Sequence, residues 1–190
     1  MDFNNDADYE NKFYEVYPSQ EVSEEVKKEN KRLCDTYPFL IPSNRFSGKR
    51  INSGEKGYWP GSPEIIPQWD YEYTELDEMP DGWRKAFGEQ MCEEIKQALL
   101  DEGDVGEKLL DRYRIVQIKE KYGFLRWYDN FSTVKIQGII RKYETISQYT
   151  CIRCGAPATK ITRGWIMPLC DACVPENTDT LPIREYWENW

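Results

Sequence analysis

Four of the six cysteines lie close together in the run CIRCGAPATKITRGWIMPLCDAC, residues 151–173. Their spacing, C-x2-C-x15-C-x2-C, falls within the pattern of a structural zinc site. Each C-x-x-C pair fits a tight turn that aims two sulfurs at one point. The 15 residues between the pairs suffice for a short hairpin, PATKITRGWIMPL, turning at Arg163-Gly164 and bringing the second pair opposite the first. Thiolates of Cys151, Cys154, Cys170 and Cys173 would then complete a tetrahedron closed to water, so the expectation is one structural zinc ion per chain. Gly155 supplies the permissive backbone that such a turn needs. Arg153, Lys160 and Arg163 are placed to offset the double negative charge of a four-thiolate centre. An iron–sulfur cluster uses the same ligands and stays open as an alternative. Disulfides require an oxidising compartment, and a redox C-x-x-C comes singly on a βαβ pattern that this chain lacks.

Other chemistry has little to work with. The chain contains no histidine, which excludes Ser-His-Asp and Cys-His nucleophiles and the His-based zinc proteases. A zinc deaminase pairs a Cys- or His-x-Glu with a downstream P-C-x-x-C. Cys92-Glu93-Glu94 and Pro168–Cys173 could imitate that pattern, but only by orphaning the first C-x-x-C pair. The carboxylates Glu72, Glu75, Asp77 and Glu78 read as a solvated acidic loop rather than a catalytic group. Cys34 and Cys92 fall singly on helical patterns and read as small buried hydrophobes. No catalytic residues are assigned and no enzyme is expected.

The elements that must position the thiols follow from periodicity. Residues 1–18 form an acidic lead-in. Within 19–68, SQEVSEEVKKENKRLC predicts a helix capped by Ser19, with a thin stripe of Val22, Val26 and Leu33. A Pro- and Gly-rich arm follows, carrying Phe39, Leu40, Ile41, Phe46, Trp59, Ile65 and Ile66. Residues 69–149 form the core. Here the alternation of Trp69, Tyr71 and Tyr73 predicts a half-buried strand. Asp81 is placed to cap a helix whose Trp83, Phe87, Met91, Ile95 and Leu99 recur at every fourth position. A hairpin of strands near 113–120 and 124–128 turns at Lys121-Tyr122-Gly123. A second helix near 133–147 presents Ile136, Ile139, Ile140 and Tyr143. Residues 150–173 form the zinc ribbon and 174–190 an acidic tail. The fold class expected is α+β: a small antiparallel sheet packed by two helices, with a C-terminal zinc-ribbon-like module. The Trp83 helix is expected to lie on the hairpin.

The net charge of −9 is unevenly spread. Residues 1–111 carry 13 Lys/Arg against 26 Asp/Glu, residues 112–173 carry 11 against 4, and residues 174–190 carry 1 against 4. Either the acidic and basic halves complement one another within the fold, or one of them marks a partner surface. No apolar run approaches the roughly 20 residues of a membrane span. The acidic start is unlike a secretory leader, so a cytoplasmic protein without membrane contact is expected.

The segments PDGWRKAFGEQMCEEIKQALL, VQIKEKYGFLRWYDN and CIRCGAPATK…GWIMPLCDAC together resemble a family of uncharacterised bacterial, phage and prophage proteins. These share a Trp-led helix, a QIKEKFG-LR-Y hairpin and a terminal cysteine ribbon. The resemblance spans about residues 37–173. Tyr122 stands where Phe is usual, and Cys173 where some members have His, which still suits zinc. The resemblance implies an architecture and a bacterial or mobile-element setting, with no activity attached. The function expected is a non-enzymatic zinc-binding protein that engages a host protein, as an inhibitor of a defence or gene-expression factor encoded by a phage or prophage. The alternative is a nucleic-acid-binding module in residues 112–173. It would use Arg112, Arg114, Lys119, Lys121, Arg126, Lys135, Arg141 and Lys142 around Tyr122, Phe124 and Trp127.

Overall fold

The computed structural model describes residues 22–43, 50 and 69–188. Ser19, Phe46, Trp59, Ile65 and Ile66 lie outside them, as does the lead-in 1–18. The described chain is α+β, with a two-stranded and a three-stranded antiparallel sheet.

Helix α1 spans Glu24–Thr36 and is capped by Ser23, whose Oγ accepts the Val26 N–H at 3.4 Å. Its Leu33 and Cys34 face the core, joined from the arm by Phe39 and Leu40. The strand expected around Trp69–Tyr73 does not form. Tyr71 adopts a left-handed φ of 56°, the Trp69 ring packs tilted against it at 4.6 Å, and the Trp69 indole N–H donates to the Tyr73 carbonyl at 3.0 Å. The aromatics alternate in sequence but fold into a turn instead of a pleat. A 3₁₀ turn at Glu75–Glu78 follows; Glu75 is buried while Asp77 and Glu78 stay exposed, as a solvated acidic loop would be, yet all three carboxylates also hold backbone. Glu75 accepts the Ser43 N–H (2.9 Å), Asp77 the Thr74 N–H (2.6 Å) and Glu78 the Ile118 N–H (3.0 Å).

The Trp83 helix, α2, runs over residues 81–100 as Asp81–Trp83, a π turn at Arg84–Gly88, and Glu89–Leu100. Pro80 occupies the cap position, with Asp81 the first helical residue. At 3.6 residues per turn, a stripe at every fourth position drifts about 40° per step. The wider π turn absorbs part of this drift. Trp83, Phe87, Met91, Ile95 and Leu99 are accordingly all buried. Gly103 takes a positive φ after α2 and leads into a short helix α3, Gly106–Arg112, which periodicity did not mark.

Strands β1 (Ile115–Lys121) and β2 (Phe124–Asp129) form the hairpin, with Lys121 opposite Phe124. Tyr122 and Gly123 both have positive φ, 56° and 79°, as a two-residue type I′ turn requires. Ile118, Leu125 and Trp127 point into the core, where the Trp127 Nε1–H donates to the buried Tyr113 hydroxyl at 3.0 Å. Helix α4, Val134–Ser147, is capped by Thr133 and buries Ile136, Ile140 and Tyr143. It lies along β2, where the Leu125 N–H donates to the Ser147 Oγ at 2.9 Å. Helix α2 packs on α3 and α4, and α4 packs on β2. Their side chains share one core.

Strands β3 (Lys160–Thr162) and β4 (Pro168–Leu169) make the expected cysteine-bearing hairpin. The segment read as an acidic tail adds a third strand, β5 (Thr180–Pro182), and helix α5 (Ile183–Glu188). Ile183 joins Ala158 and Ile161 in a second small core, with Leu181 and Trp187 packed against it.

Phe87 is buried and stands 5.3 Å from the Tyr143 ring, ring centre to ring centre. Phe87→Ala should therefore destabilise the chain by about 3–5 kcal/mol in denaturant titrations. A loss within experimental scatter would place that face of α2 outside the core.

Candidate metal centre

The two C-x-x-C turns are built from their own backbone. The Cys151 N–H donates to the Ala156 carbonyl at 2.7 Å, and the Gly155 N–H returns to the Cys151 carbonyl at 3.0 Å. Gly155 closes this loop at φ 83°, the left-handed region expected of it. In the second pair, the Cys173 N–H donates to the Cys170 carbonyl at 2.9 Å. Pairing of β3 with β4 sets the two turns face to face, aided by the Ile152 N–H bound to the Pro168 carbonyl at 3.0 Å.

The structure brings together all four expected ligands. The Sγ atoms of Cys151, Cys154, Cys170 and Cys173 all lie within 4.8 Å of one another, and Cys154 and Cys170 are 3.5 Å apart. Metal–sulfur bonds of about 2.3 Å around one tetrahedral ion place sulfurs roughly 3.8 Å apart. The group can therefore hold a single metal ion. A multi-iron cluster would sit between its cysteines and hold their sulfurs further apart.

Electrostatics point the same way. Burial opposes ionisation of Cys151, but N–H donors from Cys170, Cys154 and Arg153 outweigh it and lower the thiol to about 7. The adjacent Cys170 and Cys154 sulfurs push Cys173 up to about 12. Four thiols this close cannot all ionise unless a cation sits among them, and a divalent ion removes the conflict. Of the three cations expected to offset the charge, Arg153 reaches the Cys173 carbonyl at 3.3 Å. Arg163 is turned to Asp179 at 3.5 Å, while Lys160 lies on β3.

Sequence reasoning missed what anchors the first turn. Gly82, at the start of α2, donates its N–H to the Ile152 carbonyl at 2.9 Å, and the Trp83 indole N–H donates to the Thr150 carbonyl at 2.9 Å. A Cβ on Gly82 would collide with the Cys151 carbonyl and lie 2.6 Å from the Ile152 carbonyl carbon. A Cβ on Gly155 would lie 2.6 Å from the Gly82 carbonyl and 3.2 Å from the Ala86 Cβ. Two glycines thus let two backbones touch. The available signal was a glycine in the first turn of a strong helix, where its propensity cost is about 1 kcal/mol.

The remaining thiols stand apart from the centre. Cys34 and Cys92 are buried, and burial pushes the Cys34 thiol up to about 12 and the Cys92 thiol still higher. Glu94, the carboxylate of the deaminase-like pattern, is held by Lys142 at 2.6 Å and by the Tyr143 hydroxyl at 2.8 Å. A groove of about 370 Å³ between α1 and the π turn is lined by Leu33, Leu76 and Phe87, with Glu29 and Glu89 sharing Arg32 at its rim. Among the described residues, no helix is long and apolar enough to cross a membrane. Comparison with protein-family models, curated proteins and solved structures finds no match for this chain.

Gly82→Ala should cost about 1–3 kcal/mol through overpacking against the Cys151 turn. Thermal unfolding of wild type and variant, both metal-loaded, measures this. Acid should release the metal, because each ligand must be a thiolate. A metal-release titration with a chromophoric chelator should show this, and retention at pH 4 would exclude a four-thiolate centre.

Proposed function

We propose that this chain is a non-catalytic recognition protein, stabilised by one structural zinc ion, that acts by binding a protein partner. The observation that carries the reading is the four-sulfur set docked on α2. A tetrahedral ion with four protein ligands has no position left for water or substrate, so its contribution is to fold stability. Sulfur ligation and single-ion spacing favour zinc within that set.

The charge pattern supports a binding role once internal pairing is counted. Lys135 pairs with Asp101, and Lys142 with Glu94, so part of the basic half neutralises the acidic half inside the fold. Charges left at the surface, together with exposed aromatics, make up the recognition features. The resemblance to bacterial and phage proteins extends the proposal to inhibition of a host defence or gene-expression factor in the bacterial cytoplasm.

Nucleic-acid binding by residues 112–173 is the second reading, favoured by Lys119 and Lys121 on the hairpin. Against it, Trp127 is buried, Arg126 pairs with Glu144 at 3.1 Å, and the net charge of −9 repels a polyanion.

Elemental analysis of protein purified without added metal should find one zinc per chain, unchanged by Cys34→Ala and lost with Cys170→Ser. Near-stoichiometric iron, or a folded metal-free chain, would overturn the zinc assignment. The full chain, used as bait in nuclease-treated bacterial extract, should retain a protein at near-equal stoichiometry. Labelled oligonucleotides should not bind at physiological salt. Micromolar oligonucleotide binding that weakens steeply with salt, with no protein retained, would replace this reading by the second.

A further inference from the structure

The hairpin turn and the β3–β4 turn come from distant parts of the sequence yet meet in space. A Cβ on Gly123 would lie 3.0 Å from the Ile166 Cγ2 and 3.6 Å from the Pro168 Cδ, so the absence of a side chain there lets the two turns touch. Phe124 packs edge-on against Trp187 at 4.7 Å beneath them. Beside this contact each turn carries an exposed aromatic: Tyr122 is 60% exposed and Trp165 is 74% exposed.

Three features of this surface run against the fold's own interest. Tyr122 holds a left-handed φ of 56° at a turn position that suits Asn, Asp or Gly. Such strain at an exposed site is a pointer to function. Trp165 buries little of its ring, although Trp is the residue that gains most from burial. Lys119 and Arg126 stand directly opposite each other across the strands, a like-charge pairing that weakens a hairpin. Arg126 is answered by Glu144, whereas among the described residues Lys119 reaches the neutral Gln117 amide (2.6 Å) and the face of Tyr128 (5.2 Å), and Lys121 the Tyr122 ring (5.6 Å).

We infer that the paired turns form the partner-binding surface, with Tyr122 and Trp165 as anchors and Lys119 and Lys121 beside them, and that it takes an acidic segment of a partner protein. This inference rests on the protein-partner reading above and names the surface and the chemistry. Tyr and Trp are the side chains that dominate interface energetics when a partner covers them. Two lysines that have no carboxylate partner among the described residues complement a segment bearing a few carboxylates. A nucleic-acid strand presents a phosphate at every nucleotide and calls for a longer basic track than this one.

The surface admits variants that separate binding from folding. Tyr122→Asn places a favoured residue in the type I′ turn, so its thermal midpoint should equal or exceed that of wild type. Trp165→Ala removes an exposed ring and should leave the midpoint within about 2 °C, as surface changes do. Fluorescence anisotropy with the zinc-loaded full chain should show binding of a labelled 16-residue peptide of alternating Glu and Tyr. The same peptide with Lys in place of Glu should not bind. Tyr122→Asn, Trp165→Ala and Lys121→Glu should each weaken binding of the acidic peptide tenfold or more. An acidic peptide that fails to bind, or binds all variants equally, overturns the surface. If the extract protein is still retained by Trp165→Ala, the surface is wrong and the protein-partner reading stands. A labelled single-stranded 20-mer that binds more tightly than the peptide, and is lost with the same variants, makes the surface a nucleic-acid site and overturns both.

Discussion

The close approach of two backbones at Gly82 is the contact on which the rest depends. It sets the first turn of α2 against the Cys151–Gly155 loop, with Gly155 completing the fit from the other side. Through it the buried stripe of α2, and with it the main core, is tied to the metal-binding turn. The Trp83 indole N–H adds a second tie on the Thr150 carbonyl. The cysteine module is small, and among the described residues its own core is Ala158, Ile161 and Ile183 with a few flanking side chains. A module of that size needs a metal or a neighbour to hold its shape, and this one is placed to use both.

What was legible in the sequence had a short range. The four-cysteine set could be read because ligand spacing is local geometry, and the structure gathers all four sulfurs. The α2 stripe and the hairpin turn were equally local: a fourfold recurrence in one case, a Gly flanked by alternating residues in the other. The π turn at Arg84–Gly88, which absorbs part of the stripe's drift, was not read from the four-residue spacing. The segment 69–74 misled because a run of alternating aromatics is compatible with a turn once one residue takes a positive φ, as Tyr71 does. The third ribbon strand was hidden by its brevity and by the acidic charge of its surroundings. Its apolar residues Leu181, Ile183 and Trp187 were the sign that it packs. Contacts between distant segments, such as Gly82 with Cys151 or Gly123 with Ile166, leave only an unexplained glycine in the sequence.

The division into acidic and basic halves takes on a different meaning in three dimensions. Helices α2 and α4 lie side by side, and Lys142–Glu94 and Lys135–Asp101 join the halves across that junction. Such partly exposed pairs each contribute little, about 0–1 kcal/mol. Their larger effect is cancellation, which removes part of the apparent basic patch of residues 112–173.

The hairpin also illustrates how a two-stranded sheet avoids recruiting a third strand. Its edges would ordinarily offer free amides to any extended chain. Here the Ile118 N–H on one strand is taken by Glu78, and the Leu125 N–H on the other by Ser147, whose helix α4 runs alongside. Side chains from flanking elements occupy positions that a templating strand would need. Open-ended stacking of copies into fibrils is thereby opposed at both rims, and the sheet can present aromatic and charged groups on its outer face with less risk of self-association.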